Sequence, residues 1–125
     1  MVNIGNWLRQ ARYRAKKSGV DGSLTVDEVA AVISDLDGRC AYCGSAATAL
    51  DNPVPFSEGG QNVQANVLPA CAGCKAVKRN HSICWMHDRG YISEDIYVRV
   101  VGGMLSRNGG CAMKEVLRSL LGIYP

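Results

Sequence analysis

No apolar run among the 125 residues extends beyond a few positions, so none is long enough to cross the ~30 Å hydrocarbon core of a bilayer. The opening residues, Met1 to Gly5, lack the basic region and apolar stretch of a secretory signal. No repeat or low-complexity tract occurs. Histidine is scarce, with only His81 and His87, and no acidic residue precedes Asp21. These absences exclude a membrane-spanning chain and point to a cytoplasmic protein. A 47% apolar content excludes a disordered one. The length suits a single domain over 1–125. The balance of 14 Lys+Arg against 11 Asp+Glu leaves a net charge of +3.

Cysteine, by contrast, is plentiful: there are six. In a reducing compartment, paired cysteines point to metal before disulfide. Cys40-Ala-Tyr-Cys43 and Cys71-Ala-Gly-Cys74 are two Cys-x-x-Cys pairs, with 27 residues between Cys43 and Cys71. Two residues between thiolates let both sulfurs of a tight turn face one tetrahedral ion at about 2.3 Å. Two such pairs complete a closed structural Zn²⁺ site. A redox motif needs one pair in a thioredoxin-like setting, which nothing here supplies. The gap exceeds the roughly 15–20 residues of a simple zinc ribbon, so an insertion lies between the knuckles. Cys84 and Cys111 remain, and read as small buried apolar residues.

Around this centre the pattern is mainly helical, an α+β chain. Ile4, Trp7, Leu8, Ala11 and Ala15 recur at helical spacing, ended by Ser18-Gly19. The other faces carry Arg9, Arg12, Arg14, Lys16 and Lys17 without a compensating acid, which favours a polyanion contact. The second helix inverts the charge, with Asp21, Asp27, Glu28, Asp35 and Asp37 ahead of Arg39. Thr25 and Glu28 form a capping box. Val29, Val32, Ile33 and Leu36 make its buried stripe, and Gly38 stops it. These two helices fill 1–37. Thr48 to Asn52 and Asn66 to Leu68 read as short strands, with a tight reversal at Ser57 to Gly60. Cys71 opens a helix to about Asn80. On it Lys75, Lys78 and Arg79 share a face and make a second basic surface. Over 81–125, Ser93 caps a helix whose apolar positions are Ile96, Val98, Val101, Met104 and Leu105, broken at Gly109-Gly110. Val116 to Ile123 form a last apolar helix.

In the middle of the chain, Cys40-Ala-Tyr-Cys43-Gly44 leads to Leu50-Asp-Asn-Pro-Val-Pro55, Gly59-Gly60, Asn66-Val-Leu68 and Cys71-Ala-Gly-Cys74-Lys-Ala-Val-Lys78. This ordered set resembles an HNH endonuclease, particularly small phage-encoded members, over roughly 38–80. The resemblance implies a ββα-metal module stapled by four zinc-binding cysteines. Asp51 matches the carboxylate that holds the catalytic Mg²⁺ or Mn²⁺, and Asn66 matches the Asn that braces the loop and orients the base. Two positions depart from the pattern. Asn52 stands where the general-base His belongs, and an amide cannot take a proton from water near neutral pH. Lys75 stands where a His or Asn ligand belongs, and an ammonium only donates. Natural degeneration and an inactivating replacement both account for Asn52, and Lys75 argues for the former. His81 and His87 read as surface or packing residues rather than a substitute base.

Two functions follow. The first is an HNH-lineage protein acting on double-stranded DNA. Arg9, Arg12, Arg14, Lys16, Lys17, Lys78 and Arg79 would grip phosphates, and any phosphodiester cleavage would use one divalent ion at Asp51, with Asn52, Asn66 and Lys75 in the catalytic positions. The alternative is a non-catalytic phage product that uses the scaffold to bind and inhibit a host protein. The modest charge, the acidic second helix and the apolar C-terminal helix with Tyr124 suit that reading.

Overall fold

The computed structural model describes residues 3–20 and 24–107. The expectations for Gly109-Gly110, Cys111, the helix over Val116 to Ile123 and Tyr124 lie outside the described residues, as does Asp21. Among the described residues the chain is a small, mostly helical α+β structure. It has five α-helices: α1 (Ile4–Lys17), α2 (Val26–Asp35), α3 (Ala72–Lys78), α4 (Ile83–Asp88) and α5 (Glu94–Ser106). Strands β1 (Ala49–Asp51) and β2 (Leu68–Ala70) form one antiparallel sheet. No described helix is long and apolar enough to cross a membrane.

Both N-terminal helices form where their caps and stripes place them. The Asn3 side chain accepts from the Asn6 amide at the head of α1, which buries Trp7, Leu8, Ala11 and Ala15. The Thr25 capping box is complete in α2: the Thr25 hydroxyl accepts from the Glu28 amide, and the Glu28 carboxylate accepts from the Thr25 amide. Val29, Val32 and Ile33 are its buried face. Asp35, at the end of α2, pairs with Arg107 beyond α5 at 2.9 Å.

The sheet pairs Ala49 with Ala70, Leu50 with Pro69 and Asp51 with Leu68. The second strand therefore starts at Leu68, later than the expected Asn66 to Leu68. Residues Gln64–Asn66 instead form a 3₁₀ turn, in which the Asn66 amide donates to the Val63 carbonyl rather than to the sheet. Side chains alternate across the sheet. Leu50 and Val67 join Trp7, Leu8, Ala11 and Val29 in one apolar cluster. Leu68, Ala70 and Val54 join Val32, Tyr42, Ile83, Met86 and the buried face of α5 in another.

The last described helix departs from its expected stripe. Ser93 caps it, as its hydroxyl accepts from the Ile96 amide. Its buried residues are Tyr97, Val100, Val101 and Met104, whereas Val98 is 58% exposed and Leu105 39% exposed. The short α4, too brief to show a period in the sequence, supplies the surface that sets this rotation. Ile83, Cys84 and Met86 of α4 are buried in the cluster that takes Tyr97 and Met104. Cys84 is fully buried, as its reading as a small apolar residue requires.

Candidate metal cluster and cationic cleft

The two knuckles meet. The Sγ atoms of Cys40, Cys43, Cys71 and Cys74 all lie within 4.8 Å of one another, and Cys43 and Cys71 are 3.6 Å apart. Zinc–sulfur bonds of about 2.3 Å place tetrahedral corners about 3.8 Å apart, so the donor set and its spacing fit a structural zinc ion. Local turns build the cluster. The Gly44 amide donates to the Cys40 carbonyl, and the Cys40 amide donates to the Ser45 carbonyl. Gly44 has φ +81°, a left-handed conformation that favours glycine. The Ala41 amide donates to the Pro69 carbonyl, tying the first knuckle to β2.

Two backbone amides and the Ser45 hydroxyl lie at the sulfurs. The Tyr42 and Cys74 amides donate to Cys40 and Cys71, each at 3.4 Å. The Cys74 amide lowers the Cys71 thiol to about 6, and the Ser45 hydroxyl lowers Cys43. Burial raises Cys40 and Cys74. A bound zinc ion would deprotonate all four.

Beside the cluster, β1 and α3 form one wall of a cleft of about 460 Å³. Among the described residues its single acid is Asp51, and its cations are Arg14, Lys17, Lys75, Lys78 and Arg79. Asp51 Oδ2 accepts from the Tyr42 hydroxyl at 2.6 Å and lies 3.2 Å from Lys78 Nζ. Burial, followed by the nearby Asp51 charge, raises the Tyr42 phenol well above its ordinary value, so it remains a donor. Lys78 Nζ also donates to the Asn52 carbonyl at 2.6 Å. Lys75 Nζ donates to the Leu50 carbonyl at 2.8 Å, and Arg14 donates to the same oxygen at 3.3 Å. Burial lowers both of those cations. Arg14 adds its repulsion at Lys75.

The neutral amides serve the loop. Asn66 is fully buried. Its Nδ2 donates to the Val54 and Gln61 carbonyls and its Oδ1 accepts from the Val54 amide, all at 2.9 Å. Gly60 makes room for this brace: a Cβ there would lie 2.0 Å from the Val54 carbonyl oxygen and 2.9 Å from Asn66 Nδ2. Asn52 Nδ2 donates to the Asn66 carbonyl at 2.8 Å.

Asp51, Asn52, Asn66 and Lys75 thus come together, as do the four cysteines. The basic residues divide. Arg14 and Lys17, three apart on α1, line the cleft. Arg9 and Arg12 do not: Arg9 donates to Asn6, and Arg12 to the Leu24 carbonyl. Lys16 is exposed outside the cleft lining. Lys78 requires a correction. It is 1% exposed, so it is no part of a basic surface; the unpaired charge of a buried Asp51 draws it inward. Tyr42 and Gly60 were missed as site residues. The tyrosine between two knuckle cysteines was the one signal for its role.

A catalytic Mg²⁺ or Mn²⁺ does not fit this arrangement. Asp51 is already paired, Lys75 presents an ammonium, and among the described residues no second carboxylate lines the cleft. Neither histidine is among the residues lining the cleft. His81 stacks on Trp85, and His87 contacts Glu94 and stacks on Tyr97.

No protein-family model matches the sequence, and no curated protein matches it significantly. Among solved structures, the chain is similar to the crystal structure of the Type II-C Cas9 enzyme from Actinomyces naeslundii. The TM-score is 0.51 at 20% identity, over 89% of this chain and 13% of that one. The likeness is one of fold, to a small part of a much longer chain.

Proposed function

We propose that the chain is a zinc-stapled protein of HNH lineage that binds double-stranded DNA through its cationic cleft and does not cleave it. The carrying observation is the arrangement of four cations, Arg14, Lys17, Lys75 and Arg79, around a carboxylate already paired with Lys78. Such a cleft attracts phosphates and repels a divalent cation. The motif order around residues 38–80, the four-cysteine cluster and the fold likeness support the lineage. Asn52 supports the lack of cleavage. Its amide nitrogen is committed to the Asn66 carbonyl, and it has no basic nitrogen to take a proton.

In this reading the cleft edge does the binding. Arg14, Lys17, Lys75 and Arg79 meet phosphate oxygens, and Lys78 holds the floor by neutralising Asp51. Phosphate contacts position a protein without reading bases, so binding to duplexes of unrelated sequence is about equal. With four contacts, affinity falls about 100-fold between 50 and 200 mM salt.

A duplex mobility-shift titration at the two salt concentrations tests this, alongside plasmid incubation with Mg²⁺, Mn²⁺ or EDTA. The expected result is salt-dependent binding, unchanged by EDTA in the short term, with no nicking. Nicking by the parent protein overturns the inactive centre. Absence of any shift at low salt, with recovery of one stoichiometric host protein from lysate, replaces DNA binding with the protein-inhibitor reading.

A further inference from the structure

His81, Trp85 and Tyr91 have no role in the cleft or the cysteine cluster, yet they form a partly exposed aromatic group. The His81 and Trp85 ring centroids are 3.9 Å apart at 11°, and Trp85 and Tyr91 are 5.6 Å apart at 30°. Arg89 lies 5.3 Å from the centre of the Trp85 ring. The three rings border a cavity of about 380 Å³, and Tyr91 is 57% exposed. Arg79 lines both this cavity and the cationic cleft. It ends α3 at φ 53°, ψ −127°, in a strained region for a residue with a Cβ. Strain of that kind concentrates at ligand sites.

We propose that this cavity is a nucleobase subsite: it takes one unpaired base against the aromatic group, while Arg79 and the adjoining cleft hold the flanking phosphates. The inference rests on the DNA-binding reading above and extends it to unpaired DNA. Every base has a π-face, so aromatic stacking captures bases without strong sequence preference. Bases inside a duplex are already stacked on their neighbours. The subsite therefore favours single strands, frayed ends and bulges. The cation beside the rings adds attraction for the strand's negative charge and for its π-systems.

The test compares the full zinc-loaded protein against three probes at low salt: a short oligo-dT, an abasic oligomer of the same length, and a duplex. Oligo-dT and the abasic oligomer carry the same phosphates, so contacts to the base separate them. The expected result is at least about tenfold tighter binding of oligo-dT than of the abasic strand. Oligo-dT should also quench Trp85 fluorescence in a Trp7→Phe background. Tyr91→Ala, at an exposed position, should shrink the preference several-fold and leave duplex binding unchanged. Equal binding of oligo-dT and the abasic strand overturns the subsite while leaving DNA binding intact. Failure of all three probes to bind overturns the DNA-binding reading itself.

Discussion

The ammonium of Lys78 lies 3.2 Å from the Asp51 carboxylate, with the two side chains 1% and 9% exposed. The same ammonium donates to the Asn52 carbonyl, and the Tyr42 hydroxyl donates to the same carboxylate oxygen. The buried carboxylate is neutralised from within the protein. Its charge is spent on structure.

Removing one member of this pair should therefore be costly. Lys78→Met leaves Asp51 buried without its counter-charge, and Asp51→Asn leaves the ammonium unpaired. Each should lower unfolding free energy by about 3–5 kcal/mol. The double variant should recover most of the loss. A double-mutant cycle by urea unfolding of the zinc-loaded protein measures this; additive losses would show that the pair is not coupled.

Lys75 should trade stability for binding. It faces Arg14 and Lys78 in a partly buried setting, and burial followed by Arg14 lowers its pKa. A downward shift makes the folded chain bind fewer protons than the unfolded chain between the shifted pKa and the ordinary 10.5. Stability gains from this group as pH rises through that window. Lys75→Met should abolish that gain, change neutral-pH stability by less than about 1 kcal/mol, and reduce the log–log salt slope of DNA binding by about one. Urea unfolding across pH and salt titrations check the two halves.

Restoring cleavage should need two changes. Asn52→His supplies a base but leaves an ammonium at position 75, so the single variant should remain inactive. Asn52→His with Lys75→Asn removes that ammonium and should gain weak nicking that depends on Mg²⁺ or Mn²⁺, limited by competition between the ion and Lys78 for Asp51. Supercoiled plasmid relaxation measures it. A general base contributes about 10²–10⁴ in rate, which sets the margin between the double variant and Lys75→Asn alone.

Zinc removal should unfold the module between the knuckles. Metal analysis should give one zinc per chain, and Cys71→Ser should lose both the metal and cooperative unfolding. Cys84→Ser, at a buried position outside the cluster, should keep the zinc and lose only about 1–3 kcal/mol.

The Asn66 brace should resist substitution. Asn66→Ala strands the Val54 amide and the Val54 and Gln61 carbonyls, and should cost at least about 3 kcal/mol. Gly60→Ala should also destabilise, by about 1–3 kcal/mol, because its Cβ falls on the Val54 carbonyl. Thermal melts compare the two variants with the parent.

Much of the chain was legible because the signals are local. A Cys-x-x-Cys turn aims two sulfurs at one point whatever surrounds it, and Thr25 with Glu28 caps a helix within four residues. The α1 stripe and the Ser93 cap are likewise short-range. The β2 boundary, α4 and the rotation of α5 depend on partners distant in the chain. So does the division of the basic residues: Arg14 and Lys17 face the cleft, while Arg9, Arg12 and Lys16 do not line it.

The sequence by itself determined the cysteine cluster, the absence of a basic side chain at position 52 and the positive character of the region. Each of these follows from residue type and spacing alone. Only the tertiary structure decided that Lys78 is an internal partner of Asp51 rather than a surface cation, and that Tyr42 reaches the same carboxylate. Helical spacing places Lys75, Lys78 and Arg79 near one another, but the energy of a buried carboxylate selects which of them turns inward. That selection depends on β1 lying against α3, a contact no local pattern contains.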